Sequence, residues 1–175
     1  MPTRTLIAKL KKVRLFICDV DGVLTNGMVL MGDSKEYKFF NIQDGLGLLL
    51  LMRSGIKVGW VSNRPSPVTQ QRADELGINF LVQGKGSKVE AIDALLAREG
   101  FKWDEVCYLG DDVVDLGALK RAGVAVAVAN AIDEAKDLAD YVTQVRGGDG
   151  AVREVVRLVL DAQGKWQDIV KNFTS

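Results

Sequence analysis

Short apolar runs along the chain alternate with segments in which apolar residues recur every three or four positions. VRLFICDV, from Val13 to Val20, is apolar almost throughout and rich in β-branched and aromatic residues, the pattern of a strand covered on both faces. Similar runs at Lys57 to Ser62, Asn79 to Val82, Val106 to Gly110 and Val124 to Val128 predict further core strands, and Tyr141 to Thr143 a short edge strand. Between them, helices are predicted over Gln43 to Arg53, Ser66 to Leu76, Ser87 to Glu99, Val113 to Ala122, Asp133 to Leu138 and Gly150 to Ala162, with Gly55, Gly77 and Gly100 as stop signals. Strands that alternate with helices of this length imply βαβ units, a parallel sheet and helices on both of its faces. One segment breaks the rhythm: GMVLMG and EYKFFN read as a hairpin about Gly32-Asp33, a flap over roughly residues 26–41. A polar tail, about 163–175, follows the last helix. No internal repeat or linker is visible, and 175 residues fit one domain, 1–175.

Charge alters this picture little. Lys plus Arg equals Asp plus Glu, 23 against 23, so no global field draws the chain to nucleic acid or an anionic membrane. The apolar stretches are far shorter than the ~20 residues of a membrane span, and the N-terminal MPTRTLIAKLKKVR lacks a signal-peptide core. Cys18 and Cys107 lie in apolar runs and read as buried free thiols. A cytoplasmic protein is expected. The absence of histidine matters most: it excludes Ser-His-Asp and Cys-His catalysis, histidine-rich zinc sites and a phosphohistidine intermediate. Proton transfer then falls to Asp, Glu, Lys, Tyr or Cys, and the plentiful carboxylates suit a hard cation such as Mg2+.

Ligands of open α/β sheets sit at the carboxyl ends of the strands. Polar clusters follow the predicted strands there: Asp19-Val20-Asp21-Gly22, Ser62-Asn63-Arg64, Gly84-Lys85-Gly86-Ser87-Lys88, and Gly110-Asp111-Asp112 with Asp115 beyond. Taken singly, each has a plain structural reading: aspartates as turn formers or helix caps, Lys88 as a solvated helix residue, Ser62 as a turn residue. Taken together they supply a carboxylate nucleophile, a second carboxylate for proton transfer, an oxygen cage for Mg2+, and a lysine and hydroxyl for phosphoryl oxygens.

With these residues in this order, the chain resembles the haloacid dehalogenase superfamily, whose pattern is D-x-D-x-[TV], Ser/Thr, Lys and an acidic GDDxxD motif. Here they are Asp19-Val20-Asp21-Gly22-Val23, Ser62, Lys88 and Gly110 to Asp115. CDVDGVLT, the FN-x-x-DG from Phe40 to Gly45, GDDVVD and GGDGAVRE from Gly147 to Glu154 resemble the family of 3-deoxy-D-manno-octulosonate 8-phosphate phosphatases, from about Val13 to Lys165. The resemblance implies a three-layer Rossmann-like (HAD-like) fold with a hairpin flap and no large cap domain. It also implies a homotetramer in which flap and C-terminal segment help close a neighbour's site, and a small-molecule sugar phosphate, from lipopolysaccharide biosynthesis, as substrate. By the same resemblance Asp19 is the nucleophile and a metal ligand. Asp21 is the general acid–base and ligates metal through its backbone carbonyl, and Asp111 is the third protein ligand of Mg2+. Ser62 and Lys88 hold the phosphoryl group. Asn41, Ile42, Gln43, Asp44, Gly45, Arg64 and Arg72 contact substrate.

Two positions depart from the family pattern. Asn63 stands where Gly is common, and Leu49 stands where a substrate-binding Arg is frequent. Leu49 cannot pair with a sugar carboxylate, so a related nonulosonate phosphate is the alternative substrate. A different class, the phospho-acceptor signalling domain, shares acids, Ser/Thr and Lys at strand ends but lacks an acid in the place of Asp21. A purely structural domain would leave clustered carboxylates uncompensated.

Overall fold

A computed structural model describes residues 2–33 and 35–174. A six-stranded parallel sheet forms its centre, in the spatial order β5-β4-β1-β6-β7-β8. The strands are β1 (Leu15–Cys18), β4 (Lys57–Ser62), β5 (Phe80–Gln83), β6 (Val106–Gly110), β7 (Val124–Ala127) and β8 (Tyr141–Val142). Every residue of β1, β6 and β7 is buried, as expected for strands covered on both faces. Helices α1 (Arg4–Leu10), α2 (Ile42–Arg53) and α7 (Ala151–Ala162) pack together on one side. Helices α4 (Lys88–Glu99), α5 (Leu116–Arg121) and α6 (Asp133–Leu138) form a second contacting group. Helix α3 (Pro67–Leu76) joins β4 to β5. The expected α/β architecture is therefore present, and no cap domain occurs among the described residues.

The chain builds outward from β1 to β4 and β5, then returns to β1's other side with β6. That reversal opens a crevice beyond the carboxyl ends of β1 and β6, where open α/β sheets bind ligands. Asp19 follows β1 and Asp111 follows β6, so the topology brings them to that crevice.

Three elements differ from expectation. The segment Val113 to Ala122, expected as one helix, opens with a 3-10 turn over Val113–Asp115 before α5. The cause is the Asp115 carboxylate, which accepts the backbone N–H groups of Asp111 and Asp112 at 2.9 and 3.2 Å and tightens the turn. Helix α1 was not expected; Thr3 caps it, and Leu6 and Leu10 bury its inner face. The expected polar tail is an amphipathic helix, α8 (Trp166–Thr174), whose Trp166, Ile169, Val170 and Phe173 recur at helical spacing. Gln163 ties the start of this segment down by donating to the carbonyls of Leu10 and Val13. Trp166 is buried, with the guanidinium groups of Arg153 and Arg157 over its ring, 4.9 and 4.4 Å from the ring centre.

The flap hairpin is β2 (Leu30–Gly32) paired antiparallel with β3 (Lys35–Tyr37). Its expected turn at Gly32-Asp33 includes Ser34, which lies outside the described residues, as do Met1 and Ser175 at the ends of the expected domain and tail. The strands are shorter than expected because residues from Lys38 onward leave the hairpin for the core, where Phe40 stacks on Trp60 with ring centres 6.1 Å apart.

Candidate active site

The loop after β1 turns sharply at Gly22, whose φ is +102°. A side chain at Gly22 would collide with Asp111, since a Cβ there would lie 2.0 Å from its Oδ2. Glycine thus lets the β1 loop and the Asp111 carboxylate share one small space. Asp19, Asp21, Ser62, Asn63, Arg64, Lys88, Asp111, Asp112 and Val114 line a cavity of about 160 Å3 there. The elements that supply them are the loops after β1, β4 and β6 and the first turn of α4, where Ser87 is the N-cap and Lys88 the first helical residue.

Lys88 is the electrostatic centre of the cavity. Its ammonium lies 2.7 Å from Oδ1 of Asp19 and 2.7 Å from Oδ1 of Asp115, with its side chain almost wholly enclosed. Burial alone would lower its pKa, but the two carboxylates outweigh this and raise it, so Lys88 stays cationic. Burial pushes Asp19 up to about 6, with Lys88 opposing and Asp115 adding to the shift. Asp111 is pushed up to about 8 by burial and then by the charges of Asp19 and Asp115. The site carries more negative charge than its lysine balances, which is the condition a cation relieves.

Asp19, Asp111 and Asp115 each place a carboxylate oxygen within 4.8 Å of the others. Asp115 is nevertheless saturated. Its Oδ1 accepts from Lys88 Nζ at 2.7 Å and Tyr108 Oη–H at 2.6 Å, and its Oδ2 from two backbone N–H groups. Asp111 differs: its Oδ1 is buried with no hydrogen-bond partner. An unpartnered buried carboxylate oxygen beside a second carboxylate fits a hard cation such as Mg2+. Asp111 is the free donor of the group, Asp19 shares its Oδ1 with Lys88, and Asp115 is the residue that aims Lys88.

Ser62, at the end of β4, holds the next turn: its Oγ accepts from the Arg64 N–H at 3.1 Å and donates to the Arg64 carbonyl at 3.2 Å. Asn63 points toward the α4 loop and donates to the Gly86 carbonyl at 3.0 Å. The Arg64 guanidinium pairs with Glu36 of the flap at 2.5 Å.

The remaining expected substrate contacts do not meet in this cavity. Asn41 caps α2, accepting from the Gln43 N–H at 2.8 Å, and Ile42 and Gln43 are exposed. Asn41, Asp44, Gly45 and Arg72 border a separate space of about 10 Å3, too small for a sugar. Asp44 is buried and accepts the Arg153 N–H at 2.6 Å and that of Gly150, so its carboxylate caps α7. Burial pushes it up to about 6 although those N–H groups pull the other way. Gly45 lies against Arg72, whose Nη2 would be 2.8 Å from a Cβ there.

Relatives place this geometry. Residues 73–155 match the haloacid dehalogenase-like hydrolases. The 3-deoxy-D-manno-octulosonate 8-phosphate phosphatase KdsC of Escherichia coli (strain K12) is 42% identical over 161 residues, 91% of this chain and 86% of the relative. The chain belongs to the 3-deoxy-D-manno-octulosonate 8-phosphate phosphatase family. Members of this phosphatase family with solved structures superpose closely. The enzyme from Moraxella catarrhalis, solved with a magnesium ion, a phosphate ion and a KDO molecule, matches with TM-score 0.94 and 38% identity, covering 96% of this chain and 97% of that one. The cobalt-bound form from Haemophilus influenzae matches with TM-score 0.87 and 40% identity over 90% and 92% of the two chains. In this phosphatase, as in its family, the chemistry is that of a phosphoric monoester hydrolase.

Sequence reasoning gave no separate role to Asp115 or Gly147 and passed over Tyr108 and Lys38. Asp115 was visible in the GDDVVD motif, but nothing in a sequence shows which acid faces the lysine. Gly147 carried only a glycine-rich signal, yet a Cβ there would lie 1.7 Å from the Gly22 carbonyl oxygen, so its backbone braces the Asp19–Asp21 loop.

Proposed function

We propose that this protein is a Mg2+-dependent phosphatase that hydrolyses 3-deoxy-D-manno-octulosonate 8-phosphate to the free sugar acid and phosphate, through a phosphoryl group carried on Asp19. The observation that carries this reading is the paired Asp19–Lys88 beside the unpartnered Asp111 oxygen, in one cavity with Asp21 and Ser62. A carboxylate oxygen of Asp19 attacks phosphorus as the bond to the sugar oxygen breaks. Asp21 gives its proton to that leaving oxygen, then takes one from the water that attacks the Asp19 phosphoryl group. Inorganic phosphate leaves and Asp19 is regenerated. Lys88 and the Ser62 hydroxyl hold phosphoryl oxygens, and Asp115 keeps Lys88 aimed at them. The carboxylates of Asp19 and Asp111 and the backbone carbonyl of Asp21 would hold Mg2+, which when bound neutralises charge on the transferring group. Arg64 supplies a substrate contact when it exchanges Glu36 for the ligand.

Leu49 favours a second reading, a phosphatase for a related nonulosonate phosphate, because its half-buried side chain offers no charge to a sugar carboxylate. Phosphate release from a panel of 2-keto sugar-acid phosphates, with Mg2+ and with EDTA, separates the two. Fast metal-dependent release from the octulosonate ester supports the first reading, and a clear preference for another ester supports the second.

The described residues form one such catalytic unit, and we assign it to the cytoplasm; among them no helix is long and apolar enough to cross a membrane. A homotetramer accounts for the apolar side chains left exposed on and beside the flap and on α8: Met28, Leu30, Met31, Phe39 and Phe173. Sedimentation analysis tests it, and a monomer at micromolar concentration would rule it out.

A further inference from the structure

Chain leaving the flap alternates its faces with a period of two. Glu36, Lys38 and Phe40 turn inward, whereas Lys35, Tyr37 and Phe39 are exposed. Phe40 anchors on Trp60. Glu36 receives the Arg64 guanidinium and the Ser66 hydroxyl. Lys38 goes furthest: its ammonium lies 2.7 Å from Oδ1 of Asp21, donates to Oδ2 at 3.0 Å, and donates to the Thr69 hydroxyl at 3.2 Å. Its side chain is wholly enclosed, at 0% exposure, while that of Asp21 keeps 22%.

We propose that Lys38 is a positioning residue for Asp21, holding its carboxylate in the orientation that proton transfer requires and making that orientation depend on the flap lying over the site. The argument is geometric. A short aspartate side chain at the rim of a cavity has rotational freedom, and misplacement of a proton-transfer group by about 1 Å costs on the order of 100-fold in rate. A lysine that touches both oxygens removes that freedom, and Thr69, on the first turn of α3, fixes the lysine from behind. A buried ammonium is expensive without a partner, so the arrangement exists only when flap and Asp21 are both in place. The flap carries a second tether, Glu36, that touches neither Asp21 nor the reacting atoms, and this separates positioning from fastening.

The inference rests on the phosphatase reading, and its test distinguishes the two. Lys38→Met keeps the stem and removes the charge. For the sugar-acid phosphate that the wild type turns over fastest, an alkyl ester whose leaving oxygen needs a proton, kcat is expected to fall about 10- to 100-fold, with KM within about threefold. First-turnover release of p-nitrophenolate, which leaves without a proton, is expected to fall less than about threefold. Glu36→Gln is expected to alter KM and keep the wild-type ratio between the two esters. Lys38→Gln, which retains a shorter donor, is expected to recover part of the alkyl-ester rate, and it replaces Lys38→Met in the comparison if that variant does not melt as the wild type does. Equal losses on both esters, or an effect confined to KM as in Glu36→Gln, would make Lys38 a flap fastener and overturn the proposal. A wild-type protein inactive on every ester with Mg2+ would instead overturn the phosphatase reading beneath it.

Discussion

Lys88 binds two carboxylates that serve different ends. Asp115 spends all of its acceptor capacity on Lys88, Tyr108 and two backbone N–H groups, so it is structural scaffolding for the lysine. Asp19 holds Lys88 through Oδ1 and keeps a carboxylate at the cavity. Asp19→Asn is therefore expected to fold, since the Lys88–Asp115 pair survives, and to lose more than about 1,000-fold in kcat because an amide is a poor nucleophile. Steady-state phosphate release checks this, and substantial residual turnover would remove Asp19 from the nucleophile's role. Asp44 behaves differently. Its carboxyl is pushed up from 3.8 to about 6 by burial, so the folded state retains a proton that the unfolded chain has lost. Such a group costs stability progressively as pH rises from about 4 to about 6, and the cost is constant above that. Asp44→Asn keeps an acceptor for the Arg153 N–H without the charge. Relative to wild type it should gain stability across that window, by up to about 3 kcal/mol at pH 7, at about 1.4 kcal/mol per pH unit. Urea unfolding at pH 4, 5, 6 and 7 tests the sign, and a pH-independent difference would contradict it.

At the scale of elements, the loops around the site are held by backbone contacts as well as by side chains. The Gly148 N–H donates to the Val23 carbonyl at 3.0 Å, and the Gly147 N–H to Asn130 Oδ1 at 2.7 Å. The segment before α7 thus lies directly on the loop that carries Asp21. Gly147→Ala would drive a methyl group into the Gly22 carbonyl. It is expected to destabilise by about 3 kcal/mol or more and to lower activity beyond what unfolding explains, since the displaced loop carries Asp19 and Asp21, the proposed reacting groups. Thermal melts paired with kcat below the melting range check both parts. Helix α8 is likewise integral to the packing, because Lys165 just before it donates to the Ser54 carbonyl at 2.9 Å and the buried Trp166 ring takes the guanidinium groups of Arg153 and Arg157.

Over the whole molecule, the proposed Mg2+ site would link stability to metal binding. Mg2+ that binds only the folded state at 100 times its Kd adds about 2.7 kcal/mol, or roughly 5–10 °C in Tm for a chain of this size. Asp111, pushed up to about 8, holds a proton that competes with the cation, so the rise in Tm is expected to be larger at pH 8.5 than at pH 6. Differential scanning calorimetry with Mg2+ and with EDTA at both pH values measures this. Asp111→Asn should abolish most of the rise. A Tm rise equal in the variant and the wild type would place the cation elsewhere.

The sequence by itself determined the alternation of strands and helices, because strands covered on both faces must be apolar throughout and helices covered on one face must repeat at helical spacing. It also determined which polar residues reach the sheet's functional edge, since each lies at the end of a strand or, for Lys88, at the start of the helix that follows one, and a parallel sheet puts all such ends on one side. Asp19, Ser62, Lys88 and Asp111 were legible for that reason. What only the tertiary structure decided is how charges pair across distant segments: that Lys88 takes Asp115 as well as Asp19, that Lys38 returns from the flap to Asp21, and that Asp44 turns to α7 instead of the cavity. Such pairings depend on burial and on distances of 2.6 to 2.7 Å between residues 17 to 109 positions apart, and a local pattern of residue types carries neither.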